Sequence, residues 1–497
     1  MKYLKYFLII TTFAGFSQDV SLTWAEKIKT RGNVFILGGK DGNYFTGHRN
    51  SDDELVCRKY DKKMTMLNEQ IINFNFEKNR YAYDGTYFVK DKIVHFVTEN
   101  KRKEDKNIMY AATTNLDLKT SDKTLILDEQ DEDAISFANR RISPDSTKIL
   151  VYNEMKGRKK EPNTLTFKVY NSDLTEVLLN KAIQLDIKSK NYTTEEVRLD
   201  NNGNVYLLSR IVKEREDKVK DQTKFYYKLS VLNKEGAVKE FDFDYVTKDI
   251  ESIDLIPGEN NTLICTGFLK TLGKGFLSAK KKTLISDELF SVIINCNTLT
   301  VQSSKKVELD GLYPEKPRKT EDYVPYKVKN IFFKKDGGYV LVAEQYKLVV
   351  RTSSSMNGGV RTTYLYYYCD IAVVHINNKS EVVSVSKMPK YQLNASNPSI
   401  VATYKDGKTY IIYEDLEKNL NAENDKETKR SSASMFSSGG KNALFMLTVA
   451  ESGEMKKEVI FSYKDIKIRP RLEASRVINK GEIILNADDQ IGVLKIN

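Results

Sequence analysis

Apolar residues along this chain fall in short runs, and a helical period is nearly absent. The runs are β-branched and aromatic, four to six residues long, and bounded by turn residues: Asn33–Leu37, Ile93–Val97, Val205–Leu208, Tyr339–Ala343, Ile371–Ile376 and Tyr410–Tyr413. That pattern predicts strands, and an all-β fold throughout.

The punctuation between runs is ordered. Eight times a turn rich in Gly, Asp or Asn is followed at once by an apolar strand: around Gly42, Asp91, Asp145, Gly203, Glu259, Gly337, Gly407 and Gly481. Tight hairpins need positive φ or side-chain-to-backbone hydrogen bonds, which these residues supply. The eight turns recur at intervals of 49 to 78 residues. One repeat reads as strand A, tight turn, strand B, longer loop, strand C, short turn, strand D. It is clearest at Val205–Arg210, the charged loop Val212–Lys224, Phe225–Leu232, the turn Asn233–Gly236 and Val238–Phe243. Four-stranded units repeated radially predict a single β-propeller over residues 18–497. The last repeat has room for three strands, Arg471–Ile478, Glu482–Asn486 and Ile491–Ile496, so the stretch Asp19–Lys27 is expected to add the fourth and close the ring. Eight blades result, or seven if residues 40–95 form one blade rather than two.

The N-terminus departs from this pattern. Lys2 and Lys5 precede an apolar segment, Tyr6–Phe16, and Gly15-Phe16-Ser17 offers small residues at a cleavage site. Residues 1–17 are read as a signal peptide, too short to span a bilayer. The expectation is export to the periplasm or the outer membrane, or beyond the cell, with peripheral rather than integral membrane association. No Cys near the cleavage site suggests a lipid anchor, and no separate sorting domain follows the last predicted blade, which favours the periplasm. Export permits disulfides, with Cys265 and Cys296 the best pair; the plainer reading of Cys57, Cys265, Cys296 and Cys369 is four small buried hydrophobes.

Charge adds a second asymmetry. The chain carries 79 Lys+Arg against 68 Asp+Glu, a net charge of +11. In the propeller register every long polar insertion follows strand B: 99–107, 154–164, 212–224, 270–282, 347–361 and 416–441. Together they carry a net +13, so the basic excess is expected on one rim, with Lys270, Lys274, Lys280, Lys281 and Lys282 its densest part. Charge runs that only keep loops solvated are the plainer alternative. Ser353–Gly359 and Ser431–Gly440 have the composition of flexible lids or slack.

Catalytic signatures are missing. There are three His, and His95 and His375 sit mid-strand among apolar residues. No phosphate loop, nucleophile elbow or Cys-x-x-Cys pair occurs, and neither a metal nor a cofactor is called for. The acidic run Asp128–Asp133 lacks the Gly and distal Glu of a Ca²⁺ loop and reads as a solvated connection. Nucleic acid is disfavoured as a partner, because the aromatics lie in strands rather than among the basic loops.

The most distinctive region holds Tyr339–Tyr346 with Glu344-Gln345, Tyr366–Ile376, Lys387-Met-Pro-Lys-Tyr-Gln392 and Tyr410–Asp415. These segments, with the Phe16-Ser17-Gln18 start, resemble uncharacterised secreted β-propeller proteins of Bacteroidetes bacteria. The resemblance covers the last third of the chain; it implies export and a propeller, and it carries over no activity. Glu344, Gln345, Asp415, Lys387, Lys390 and Gln392 are all expected on the rim that bears the insertions, with Arg469 and Arg471 beside them. They read as a ligand or partner site, or else as bonding between blades. The functional expectation is a non-enzymatic binding or scaffold propeller, recognising an envelope protein complex or an anionic glycan. The alternative is a carbohydrate-active enzyme using Glu344 and Asp415 as a carboxylate pair.

Overall fold

A computed structural model describes residues 20–30, 32–73, 81–101, 106–129, 138–258, 261–271, 288–309, 312, 324–354, 359–393, 400–432, 441–487 and 489–497. It is built from eight antiparallel sheets, each with at least four strands.

The N-terminal strand is β1 (Val20–Trp24). Blade one is β2 (Phe35–Lys40), β3 (Asn43–Arg49), β4 (Leu55–Tyr60) and β5 (Met66–Ile71). Blade two is β6 (Tyr81–Val89), β7 (Lys92–Lys101), β8 (Lys106–Asn115) and β9 (Thr124–Glu129). Blade three is β10 (Asn139–Ile142), β11 (Lys148–Met155), β12 (Pro162–Asn171) and β13 (Val177–Lys188). Blade four is β14 (Tyr192–Leu199), β15 (Val205–Val212), β16 (Phe225–Leu232) and β17 (Val238–Phe243). Blade five is β18 (Lys248–Pro257), β19 (Thr262–Thr271), β20 (Glu288–Asn295) and β21 (Thr300–Glu308). Blade six is β22 (Tyr326–Phe333), β23 (Tyr339–Ser354), β24 (Val360–Ile376) and β25 (Val382–Met388), extended by β26 (Gln392–Leu393). Blade seven holds β27 (Val401–Lys405) and β28 (Lys408–Leu416); β29 (Ser431–Ser432) leaves it to pair with β26, and β30 (Asn442–Ala450) and β31 (Met455–Ser462) complete it. Blade eight is β32 (Arg476–Asn479), β33 (Glu482–Ala487) and β34 (Gln490–Ile496), and β1 pairs with β34 as its outer strand, Val20 opposite Ile496.

Residues 40–95 therefore belong to two blades, and the count is eight. Seven of the eight tight turns join the first and second strands of a sheet; the eighth, at Glu259 between β18 and β19, lies outside the described residues. At Asp41-Gly42 and Asp406-Gly407 both turn residues have positive φ (51° and 73°, 50° and 77°), the twist that lets two strands fold back without splaying. The six insertions all lie between a second and a third strand, so they leave the ring on one face. Two of them are more ordered than a flexible loop: β7 and β8 run to Lys101 and from Lys106, and β23 and β24 continue as a paired ribbon to Ser354 and from Val360. Residues 355–358 and 433–440 of the expected lids lie outside the described residues. Arg471, expected to open a strand, instead leads into a short turn at Leu472–Ala474, and β32 starts at Arg476. Pro470 has no N–H for a ladder, and Arg471 instead donates its N–H to the Asn486 carbonyl.

The core is divided among the blade interfaces. One cluster joins blades two and three (Phe96, Met109, Val151, Tyr170), another blades five and six (Phe268, Tyr326, Leu341). Blade eight packs on blade seven through Leu444, Ile483 and Leu494, and on blade one through Tyr44, Tyr60 and Ile484. Alternation along each strand puts apolar residues on both faces of a blade, because each face is covered by a neighbour. All four cysteines are buried and none is in a disulfide, with Cys265 and Cys296 within one cluster. His48, His95 and His375 are buried too; burial pushes His95 down to about 3 and His375 to about 4, so both are neutral.

Candidate functional site

The predicted site residues lie where blades six, seven and eight meet, on the face of the long connections. Glu344 ends the apolar part of β23 and is fully buried, as is Lys390 in the link from blade six to seven. The Lys390 ammonium bonds the Glu344 carboxylate and, at 3.1 Å, the Gln392 side-chain oxygen. Lys329 of β22 pairs with the other Glu344 oxygen at 3.2 Å. Gln392 donates its amide to the Glu414 carbonyl. Gln345 accepts the Asp370 N–H at 3.3 Å, while Asp370 accepts the Lys390 N–H at 3.1 Å and pairs with Lys387 at 3.5 Å. Lys387 also pairs with Asp425 at 3.1 Å.

A second knot surrounds Glu414, which is 2% exposed. Arg469 takes it with both guanidinium arms, one at 3.0 Å, and the Tyr463 hydroxyl (3.1 Å) and Asn442 amide (2.8 Å) complete its shell. Asp415 accepts from the Leu416 N–H at 2.8 Å and the Asn419 amide at 3.0 Å. Burial pushes its carboxyl up to about 6, against the pull of those hydrogen bonds and of Lys390 and Lys457. Lys457 is held by the Asn419 carbonyl at 3.2 Å and the Ala422 carbonyl.

Sequence reasoning thus places Glu344, Gln345, Lys387, Lys390, Gln392, Asp415 and Arg469 in one region. It places Arg471 there too, whose guanidinium pairs instead with Glu473 at 3.0 Å. It misses Lys329, Asp370, Glu414, Asp425 and Lys457. Asp370 and Glu414 had a readable signal, a carboxylate inside an otherwise apolar strand, which rarely stays buried without a partner. With these included, the network holds five cations and five carboxylates. It is charge-balanced rather than an open basic mouth, and Glu344 Oε2 meets the Lys329 charge at 3.2 Å without a hydrogen bond. Of the predicted basic rim, Lys270 pairs with Glu251 at 3.5 Å; Lys274, Lys280, Lys281 and Lys282 lie outside the described residues, as does most of Asp128–Asp133.

The inner strands carry a further charged series that the sequence reading did not anticipate. Arg140 pairs with Asp84 at 3.4 Å, Arg141 with Glu196 at 3.4 Å, Arg198 with Asp254 at 3.1 Å and Lys327 with Glu251 at 3.8 Å. Each bond joins one blade to the next. Asp84 and Arg140, like Arg198 and Asp254, are 56 residues apart, about one repeat. Between blades three and four lies a groove of ≈ 680 Å³, walled by Lys160, Lys188, Lys213, Glu214, Asp242 and Asp244. Its charges pair across it, Lys188 with Glu214 at 2.8 Å and Lys213 with Asp244 at 2.6 Å. Among the described residues no group of three or more His, Cys, Asp or Glu is placed to hold a metal.

No family model and no curated protein matches this chain. Solved structures do. The β-propeller domain of the Trilobed protease from Pyrococcus furiosus is 11% identical, over 90% of this chain and 98% of that one, with a TM-score of 0.35. The WD40 domain of SCAP from fission yeast is 10% identical, over 97% and 99%, with a TM-score of 0.35. Prolyl oligopeptidase B from Galerina marginata is 9% identical, over 85% of this chain and 56% of that one, with a TM-score of 0.33. The chain is an eight-bladed β-propeller. That assignment rests on the eight sheets themselves, and a propeller is a scaffold that hosts unrelated functions.

Proposed function

We propose that this propeller is an exported, non-enzymatic binding module of the cell envelope. It engages a protein partner or an anionic polymer through the face that carries the long connections. The observation behind this reading is topological: all six long insertions leave the ring between second and third strands, and they hold a net +13 within a chain of net +11. Of the carboxylates expected to be reactive, Glu344 is tied to Lys390 in the link to blade seven and to Lys329 of its own blade, and Asp415 to the Leu416 N–H and the Asn419 amide, which suits a clasp. The test is retention of the mature protein on a purified outer-membrane fraction, with and without the lysines of 270–282. Salt-sensitive retention that falls in the lysine-depleted variant supports the reading. Retention that is salt-insensitive and unchanged by the substitutions defeats it.

A carbohydrate-active enzyme is the second reading. One observation favours it: Asp415 is 2% exposed with its carboxyl up at about 6, a value suited to a general acid. Against it, Glu344 is clamped by Lys390 and Lys329, which leaves no lone carboxylate opposite Asp415. Turnover of any member of a glycan panel, abolished in Glu344→Gln, would establish it.

A further inference from the structure

The groove between blades three and four opens on the face of the long connections. One wall is the start of β12 and the end of β13, at Pro162 and Asp186–Lys188; the other is the end of β15 and the connection after it, at Val212–Glu214. Its volume of ≈ 680 Å³ suits a small ligand, for which about 300–1,000 Å³ is usual.

The walls are fixed by the protein itself. Ser189 donates its N–H to the Glu161 carbonyl at 2.8 Å, which ties the turn after β13 to the connection before β12. Lys213 donates its N–H to the Lys224 carbonyl at 2.9 Å, closing the base of the charged connection. Lys188 and Lys190 reach from one blade to Glu214 of the next, at 2.8 and 3.6 Å, and Lys213 holds Asp244 at 2.6 Å. A site held in this way loses little freedom when it is filled.

The chemistry of the groove is mixed. Ile187, Ile211 and Tyr226 belong to the apolar cluster that joins the two blades, and they reach the groove as its floor. Around them stand five carboxylates and three lysines. Two further lysines pair with those carboxylates from outside, Lys190 with Glu214 and Lys228 with Asp242 at 2.9 Å, so cations and anions balance. The connections on either side, 154–164 and 212–224, are net basic by contrast. Asp186, Asp217 and Lys160 line the groove with no side-chain partner among the described residues.

We propose that this groove binds a short uncharged oligosaccharide; the site is separate from the basic connections and goes beyond the binding reading above. Sugar hydroxyls both donate and accept, and the groove sets carboxylate acceptors beside ammonium donors. The C–H face of a sugar ring finds Tyr226, Ile187 and Ile211 beneath it. A charge-balanced wall attracts neither a polyanion nor a polycation, which leaves the neutral ligand favoured.

The test is isothermal titration calorimetry of the full mature protein with maltohexaose, cellohexaose and chitohexaose, and with hexagalacturonate as the charged comparison. Saturable binding of at least one neutral sugar is expected, unchanged by added salt, with hexagalacturonate at least about tenfold weaker. Tyr226→Ala takes the ring from the floor and is expected to lower affinity about tenfold or more. Tyr226 also packs on the cluster, so a second variant guards against misfolding. Asp186→Ala, a change at an exposed side chain, is expected to lower affinity about fivefold with the melting temperature unchanged. Failure of all three neutral sugars to bind overturns the proposal. So does hexagalacturonate binding as tightly as they do, or full binding by either variant. A protein retained on the outer-membrane fraction that binds no neutral sugar loses this inference alone; one that binds sugar in the groove and is not retained loses only the binding reading.

Discussion

Blade four and blade six start from the same four-strand plan and diverge after the second strand. In blade four the connection from Val212 to Phe225 is a charged loop at the surface. Lys188, from the preceding blade, meets its Glu214 at 2.8 Å with both side chains partly in water. In blade six the second and third strands run on as a ribbon, and the charges beneath it are sealed: neither Glu344 nor Lys390 has any exposed side-chain surface. The same chemical pair has different consequences in the two places. In water the attraction is screened and offset by side-chain entropy. Out of water each charge depends on the other, because a lone buried ion bears its full desolvation cost.

The sharpest way to break this comparison is to remove one member of the buried pair. Lys390→Met leaves Glu344 with Lys329 alone and is expected to cost about 3–5 kcal/mol in urea unfolding. Adding Glu344→Leu should restore most of that loss, since two apolar residues leave no stranded charge. Arg469→Ala comes next. It strips the two-armed partner from buried Glu414 and is expected to cost about 2–3 kcal/mol. At the far end, Lys188→Ala in blade four is expected to move the melting temperature by no more than about 1 °C.

A pH series sharpens the contrast by separating groups of opposite sign. His95 and His375 titrate at about 3 and about 4 in the folded protein, below the ordinary 6.5. Below 6.5 the unfolded chain takes up their protons and the folded one does not, so stability falls as pH drops. Asp415 opposes this. Its folded value of about 6 exceeds the ordinary 3.8, so between those values folding binds a proton and stability rises as pH drops. Two histidines outweigh one aspartate, and unfolding midpoints should decline between pH 6 and 4. Asp415→Asn should steepen that decline and His375→Phe should flatten it.

The fold was legible because turn chemistry and strand pattern are local. Turns rich in Gly, Asp or Asn mark the first hairpin of each blade, four of them as Asp-Gly or Asn-Gly, and the pairing of β1 with β34 follows from counting strands in the last repeat. The site was legible only in outline. Glu344, Lys390 and Asp415 stand out as charges at strand ends, but the partners that bury Glu344 and the neighbouring Glu414 come from distant parts of the chain. Glu414 finds Arg469 across 55 residues, and Glu344 finds Lys390 across 46. A repeat period predicts that blades touch, and the 56-residue spacing of the inner-strand pairs is the one trace of that in the sequence. The face on which basic loops gather follows from topology, whereas the neutrality of the knot beneath them required the positions of Lys329, Asp370 and Lys457.

The central claim is that this knot holds blades together while recognition occurs elsewhere on the same face. The double variant Glu344→Leu/Lys390→Met tests it most directly, with retention on the outer-membrane fraction and the melting temperature measured on the same preparation. The account predicts a folded protein retained as well as wild type. Loss of retention at an unchanged melting temperature would contradict it and make the pair part of the binding site.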